Sequence, residues 1–281
     1  MTLAKYLDEL ASTGRYHFTT GDAIAALGAS PVAVRAAIRR RSEKGHLVSP
    51  SRGFHLIVPP EYRSLGCLPA DQFVPQLMDH LGLEYYAGLL TAASLHGAAH
   101  QAPMVFQIVV RSSRAVIRCG RVEVDFTARA NVSAVAAMHL NTPRGLLRVS
   151  TAEATAFDLV GYPHLCGGLS NVATILHELA DCLKEGALLE EAAKSPLPWS
   201  QRLGYLLDVV GVPSLADALA ERVSASAKEY VPLRSRWATD GSARNRRWRL
   251  LVNDEVDPDV DSARLHHRMA PGGSLDEPGA G

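Results

Sequence analysis

Along the first sixty residues the apolar positions recur at helical spacing in three short blocks, each opened by a capping residue or closed by glycine. Leu3, Tyr6, Leu7 and Leu10 predict a helix over 2–12, stopped by Gly14. Thr19-x-x-Asp22 has the form of a capping box and leads into Ala23, Ile24 and Leu27, with Gly28 placed to end that helix. Ser30-Pro31 restarts a helix at once, because Ser30 suits the N-cap and Pro31 sits where a missing N–H costs nothing. This third helix runs to about Lys44 and is closed by Gly45. The period then shortens to two. His46-Leu47-Val48 and the stretch from Phe54 to Val58 read as strands, joined by the turn-rich Ser49-Pro50-Ser51-Arg52-Gly53, and Pro59-Pro60 ends the unit.

The pattern from residue 62 to 253 is mixed. Residues 71–81 and 85–96 carry helical spacing. Residues 105–110, 116–119 and 122–126 read as strands, the last two turning at Gly120-Arg121, and 146–149 as another. Ser150-x-x-Glu153 forms a second capping box before Ala156, Phe157 and Val160. Residues 169–184, 199–210 and 214–223 predict further helices, and 247–252 a closing strand. Strands and helices without regular alternation predict an α+β fold: an N-terminal winged helix-turn-helix domain over 1–62, a larger mixed α+β domain over 63–253, and a disordered tail over 254–281.

Composition agrees with a folded chain. Of 281 residues, 47% are hydrophobic and 21% charged, so a sizeable core is available. Aromatics are only 6%, which leaves the packing to Ala, Leu and Val. No stretch of apolar residues is long enough for a membrane span. Lys5, Asp8 and Glu9 stand where a secretory signal would need an apolar run, so a cytoplasmic protein is expected. Cys67, Cys119, Cys166 and Cys182 are scattered, neither a zinc ribbon nor a disulfide framework.

Zero net charge, taken alone, argues against nucleic-acid binding, but the charges are separated into blocks. Between residues 35 and 52, Arg35, Arg39, Arg40, Arg41, Lys44 and Arg52 face one acid, Glu43. Between 228 and 249 seven basic residues face Glu229 and Asp240, and beyond Leu250 the sign reverses. On the third helix Val34, Ala37 and Ile38 share the face turned to the preceding helices, while Arg35, Arg39 and Ser42 fall within about 60° on the opposite face. Such an arginine pair reaches guanine edges. Arg40, Ser42 and the backbone amides at Ser30 are placed for phosphates, and a hairpin tipped by Arg52 is placed as a wing. The plain alternative is a solvated basic face on a small helical bundle.

Other candidates are weaker. His96 and His100 stand four apart but lack the acid of an H-E-x-x-H pair, and His266-His267 lies in the tail. Glu123 and Asp125 share one face of a strand, as in a Mg²⁺ site, yet no third acid, lysine or phosphate loop accompanies them. No metal, cofactor or catalytic constellation is expected. Arg234, Arg236, Arg244, Arg246, Arg247 and Arg249, with Trp248 among them, form either a second nucleic-acid or acidic-partner surface or a charge-blunted edge strand.

With these residues in view the chain resembles the AbiEi antitoxins, the regulator half of an abortive-infection toxin–antitoxin pair of type IV. The resemblance runs from Tyr16-His17-Phe18-Thr19-Thr20 through Val34-Arg35, Gly45-His46-Leu47, Gly53-Phe54-His55 and Pro60-Glu61-Tyr62. It continues with Tyr85-Tyr86-x-Gly88-Leu89-Leu90-Thr91-Ala92-Ala93-Ser94-Leu95-His96-Gly97, the helix from Val149 to Leu159, and Asn245-Arg246-x-Trp248. It implies a bacterial repressor that binds inverted repeats upstream of its own operon and counteracts a nucleotidyltransferase-like toxin. A single winged unit holds one half-site, so inverted repeats would require two chains or cooperative placement. Two other classes stay open: a ligand-sensing winged-helix transcription factor, and a DNA-associated metal-dependent enzyme.

Overall fold

The computed structural model describes residues 1–98 and 104–259, and the chain divides into two compact units, Met1–Asp158 and Leu159–Gly281. The N-terminal elements form where capping chemistry places them. In α1 (Leu3–Ser12) Thr2 caps the Lys5 amide. After β1 (His17–Thr19), α2 (Thr20–Leu27) opens on a complete capping box, with Thr19 and Asp22 satisfying each other's amides, and ends at Gly28 in the left-handed conformation. Ser30 caps α3 (Pro31–Glu43) by accepting from the Ala33 amide. Leu3, Tyr6, Leu7, Phe18, Ala23, Val34, Ile38 and Leu47 close a small core.

β2 (Leu47–Ser51) and β3 (Phe54–Ile57) pair antiparallel, and β1 adds to β3 to give the order β1-β3-β2. Two details depart from expectation. The segment read as a linker from Ser49 is largely strand: β2 continues to Ser51, and the register shifts between Val48 and Ser51, where an irregularity accommodates Pro50. The turn therefore contracts to Arg52-Gly53, with Gly53 at φ 79°. β1 is too short to leave a periodic signal and exists because β3 offers it a partner.

Within this sheet His55 is buried and touches the hydroxyls of Thr20 and Ser49 at 2.9 and 2.7 Å. Burial, with a smaller push from His80, holds its imidazole below the usual 6.5. Burial and Arg15 do the same at His17. Both rings stay neutral in the fold while the unfolded chain takes up protons, so this stability is present above pH 6.5 and is lost as pH falls through the depressed folded values. The thermal unfolding midpoint is expected to drop as pH falls below about 6.5, and less steeply in a His55→Gln variant. Identical slopes in parent and variant would remove His55 as a source.

The rest of the first unit is built on a six-stranded sheet. α4 (Val74–Leu81) comes after a short 3-10 turn, Ala70–Gln72, so the helix expected from residue 71 starts later. β4 (Tyr85–Ala87) is a central strand and α5 (Leu89–Leu95) begins after it. The single helix read over 85–96 is thus a strand and a helix. Tyr85 and Ala87 enter one core while Tyr86 enters another on the opposite face, an alternation that only extended backbone supplies. Gly88 marks the change, since a Cβ there would lie 2.8 Å from Val109 Cγ2.

β5 (Phe106–Val110), β6 (Ile117–Cys119), β7 (Val122–Ala128), β8 (Ala137–Thr142) and β9 (Gly145–Ser150) complete the order β6-β7-β5-β4-β9-β8. β5–β7 and β4–β9 are parallel and the other pairs antiparallel. β8 had no clear pattern because it is an edge strand with partly exposed side chains. α6 (Ala152–Gly161) is capped by Thr151, which accepts from the Ala154 amide. Ser150, expected to cap it, ends β9 and bonds Thr155 Oγ1 at 2.7 Å. The architecture is mixed α+β.

The second unit is mainly helical: α7 (Leu169–Leu179), α8 (Glu185–Lys194), α9 (Leu197–Val209) and α10 (Pro213–Ser226) pack around Leu176, Leu203, Leu206, Leu207 and Leu219. α8 had no expected counterpart, since its outer face is Glu- and Lys-rich and only Leu188, Glu191 and Ala192 are buried. A small sheet comes next, with β10 (Val231–Pro232), β11 (Ala243–Asn245) and β12 (Leu250–Val252) in the order β10-β12-β11. The first residues of the expected tail lie along α7: the Asp257 amide donates to Ser170 Oγ and the Asp259 amide to Thr174 Oγ1.

Candidate nucleic-acid interface

The chain direction turns by 115° from α2 to α3 across the three residues Gly28, Ala29 and Ser30. Val34 and Ile38 anchor α3 in the small core, which leaves Arg35, Arg39 and Arg40 exposed on its far side. Arg39 lies 3.6 Å from Glu43 one turn on, and both side chains are more than 60% exposed. Such a pair is worth only a few tenths of a kcal/mol and opens readily. Among the described residues no carboxylate pairs with Arg35, Arg40 or Arg52. Ser42 is half-buried, and the Ser30 hydroxyl is engaged with its own helix. Arg52 is exposed at the tip of the β2–β3 turn.

Reading the sequence missed Val32. It is 75% exposed in the first turn of α3, on the same face as Arg35 and Arg39. Its signal was present: a valine three residues before an exposed arginine does not belong to the buried stripe of Val34 and Ile38. A cavity of about 200 Å³ also lies in this unit, beside Arg15, Tyr16, His17, Gln72 and Arg144. Arg144 stacks on Tyr16 at 3.6 Å and donates to Gln72 Oε1. That volume falls short of the roughly 300 Å³ at which small-molecule pockets begin.

The six C-terminal arginines are not brought together as one free surface. Arg247 is committed to Asp208 and Asp217, and Arg234 pairs with Asp254 at 3.0 Å while stacking on Trp237. No carboxylate among the described residues pairs with Arg236, Arg244, Arg246 or Arg249. Trp248, read as an aromatic inserted among basic residues, is fully buried.

Where they are described, the remaining candidates have partners within the fold. His96 caps the end of α5 and contacts the Ser150 carbonyl at 2.8 Å, while His100, His266 and His267 lie outside the described residues. Glu123 is held by Arg118 through two contacts, and Asp125 accepts from the Phe126 amide. No group of three His, Cys, Asp or Glu residues suited to a metal occurs among the described residues. Two of the scattered cysteines do meet: Cys67 and Cys119 are buried with their sulfurs 3.0 Å apart. No single helix among the described residues is long and apolar enough to cross a membrane.

Fold and site together define a mixed α+β protein whose exposed chemistry is arginine-rich. Residues 86–209 match the family model described as the AbiEi antitoxin C-terminal domain. The chain therefore carries an AbiEi antitoxin domain, of the antitoxin half of a toxin–antitoxin pair, and the resemblance drawn from its motifs holds over that segment. Among solved structures, the crystal structure of RV2827C protein from Mycobacterium tuberculosis matches with a TM-score of 0.65 at 18% identity, covering 94% of this chain and 94% of that one. At that identity the likeness speaks for the fold alone. The crystal structure of an antigenic nucleotidyltransferase-like protein from Paracoccidioides brasiliensis gives a TM-score of 0.34 at 12% identity, over 53% of this chain and 90% of that one, too low to support a conclusion about this fold. No curated protein matches the chain.

Proposed function

We propose that this antitoxin is also the DNA-binding repressor of its own operon, acting through an N-terminal winged helix-turn-helix over residues 1–62, with α3 as recognition helix. One observation carries the reading. Two helices turn through 115° across a three-residue, glycine-containing connection, and the second presents an outward face of Val32, Arg35 and Arg39. That angle and loop length are those of helix-turn-helix motifs. Arg35 and Arg39 have the reach for guanine O6 and N7, and the exposed Val32 suits a thymine methyl. Arg40, Ser42 and the Arg52-tipped hairpin contact backbone phosphates in this arrangement, as do free amides at the start of α3 beside Ser30.

Residues 63–253 supply the activity against the toxin, which we take to be nucleotidyltransferase-like. We propose no catalytic role for the chain itself. Inverted repeats would engage two chains, one per half-site.

Arg35→Ala and Arg39→Ala should each weaken binding to the chain's own promoter by about 1–3 kcal/mol, and cost less on random duplex. Gel-shift titrations of both DNAs test this. Equal losses on the two duplexes would reduce both arginines to phosphate contacts, and an unchanged affinity would remove α3 as the reading element.

A further inference from the structure

The second unit exposes an aromatic side chain in a chain that has few. Trp248 is fully buried and Trp199 is packed against Tyr162, but Trp237 is 52% exposed. It is not a loose loop residue. Asn253 fixes the segment that carries it: its side chain accepts from the Arg234 amide at 2.9 Å and donates to the carbonyls of Arg234 and Ala238. Arg202 holds the same segment from below, through the Pro232 carbonyl and Ser235 Oγ. Arg236 takes φ 66° between them. The Arg234 guanidinium lies 3.4 Å from the centre of the Trp237 ring and backs one face of the indole.

The other end of the same small sheet repeats the combination. Tyr230, just before β10, has Arg244 and Arg249 within 5.4 and 5.9 Å of its ring. Arg249 precedes β12 and Asn253 comes directly after it, so the two aromatic sites are anchored at opposite ends of this strand. Arg236, Arg244 and Arg246 are exposed around them with no carboxylate partner among the described residues.

Pre-positioned aromatic rings, Trp237 exposed and Tyr230 half-buried, beside arginines of which Arg236, Arg244, Arg246 and Arg249 have no carboxylate partner among the described residues while Arg234 is paired with Asp254, match the chemistry of an unpaired nucleotide strand. The bases stack on the rings and the guanidinium groups meet the phosphates. A duplex hides its base faces and has no use for Trp237, and an acidic protein would need the charge but not an arginine-backed indole. We propose that this sheet is a binding site for single-stranded nucleic acid, separate from the duplex contact assigned to α3, with Trp237 and Tyr230 as stacking platforms.

The test uses the full chain and a fluorescein-labelled mixed-sequence RNA of about 12 nucleotides, its single-stranded DNA counterpart, and the corresponding duplex, read by fluorescence anisotropy. The parent should bind the single strands and quench its tryptophan emission. Trp237→Ala should bind them about tenfold more weakly with an unchanged unfolding midpoint, while Trp237→Phe retains most of the affinity. The Arg35→Ala, Arg39→Ala pair should leave single-strand binding intact. No single-strand binding by the parent, equal binding by the Trp237→Ala variant, or loss with the α3 pair would each overturn the proposal.

Discussion

Replacing Asp158 by alanine is expected to cost about 3–5 kcal/mol of stability, enough to unfold much of a domain whose total is about 5–15 kcal/mol. Asp158 is fully buried and Arg129 nearly so, their closest atoms 2.6 Å apart. Tyr86 closes the group: its hydroxyl donates to Asp158 Oδ2 at 2.9 Å and accepts from Arg129 at 3.3 Å, and Arg129 Nε donates to Asn131. Burial, reinforced by the Asp158 carboxylate, pushes the Tyr86 phenol far above its ordinary pKa, so it remains a hydrogen-bond donor. Removing the carboxylate takes this counter-charge and its hydrogen bonds from a guanidinium held in the interior, which is far worse than never having buried the pair. The contrast supplies the check. Chemical denaturation of Asp158→Ala should show the large loss, whereas a combined Asp158→Leu, Arg129→Met, Tyr86→Phe variant should recover much of it. A loss in Asp158→Ala below about 1 kcal/mol would show that the pair is solvated in the folded state.

The Trp248 indole should be worth a similar amount to the second unit. It is fully buried, its Nε1 donates to Asp208 at 2.6 Å, and its six-membered ring lies directly on Gly204 of α9. A Cβ at position 204 would come within 2.0 Å of the ring, so the glycine in mid-helix is a packing requirement. Trp248→Ala is expected to cost about 3–5 kcal/mol. Gly204→Ala should also destabilise, by about 1–3 kcal/mol, although alanine is the better helix former by nearly 1 kcal/mol. In the Trp248→Ala background the clash is gone, so Gly204→Ala should turn neutral or stabilising. Additive effects across this cycle, measured by urea unfolding, would mean that the two positions do not touch.

Much of the N-terminal half was legible in the residues because its signals are local. The Thr19–Asp22 box, Gly28, Ser30-Pro31 and the spacing of Val34 and Ile38 each act within one or two helical turns, and the structure places α2 and α3 where they indicate. The mixed α+β class and the antitoxin motifs were readable for the same reason. The exposed face of α3 followed from periodicity alone; Val32 on that face did not, because a lone valine looks like core until the buried stripe is known.

The features that required the tertiary structure depend on partners distant in sequence. Tyr85–Ala87 continues the helical spacing of residues 88–96, yet it becomes a central strand because β5 and β9 bond it on both sides and its side chains fill cores on opposite faces. β1 and β8 exist only as additions to β3 and β9. Ser150 lost the cap to Thr151 because the pairing of β9 runs through it. The basic C-terminal segment shows the limit most plainly. Its arginines are equivalent in the chain, but α9 and α10 supply acids that occupy Arg247, Asp254 occupies Arg234, Gly204 opens a slot that swallows Trp248, and Asn253 holds Trp237 outside. Composition and spacing determined that charge and aromatic rings would be there. Which of them meet solvent was decided by side chains up to 48 residues away, through contacts that no local rule encodes.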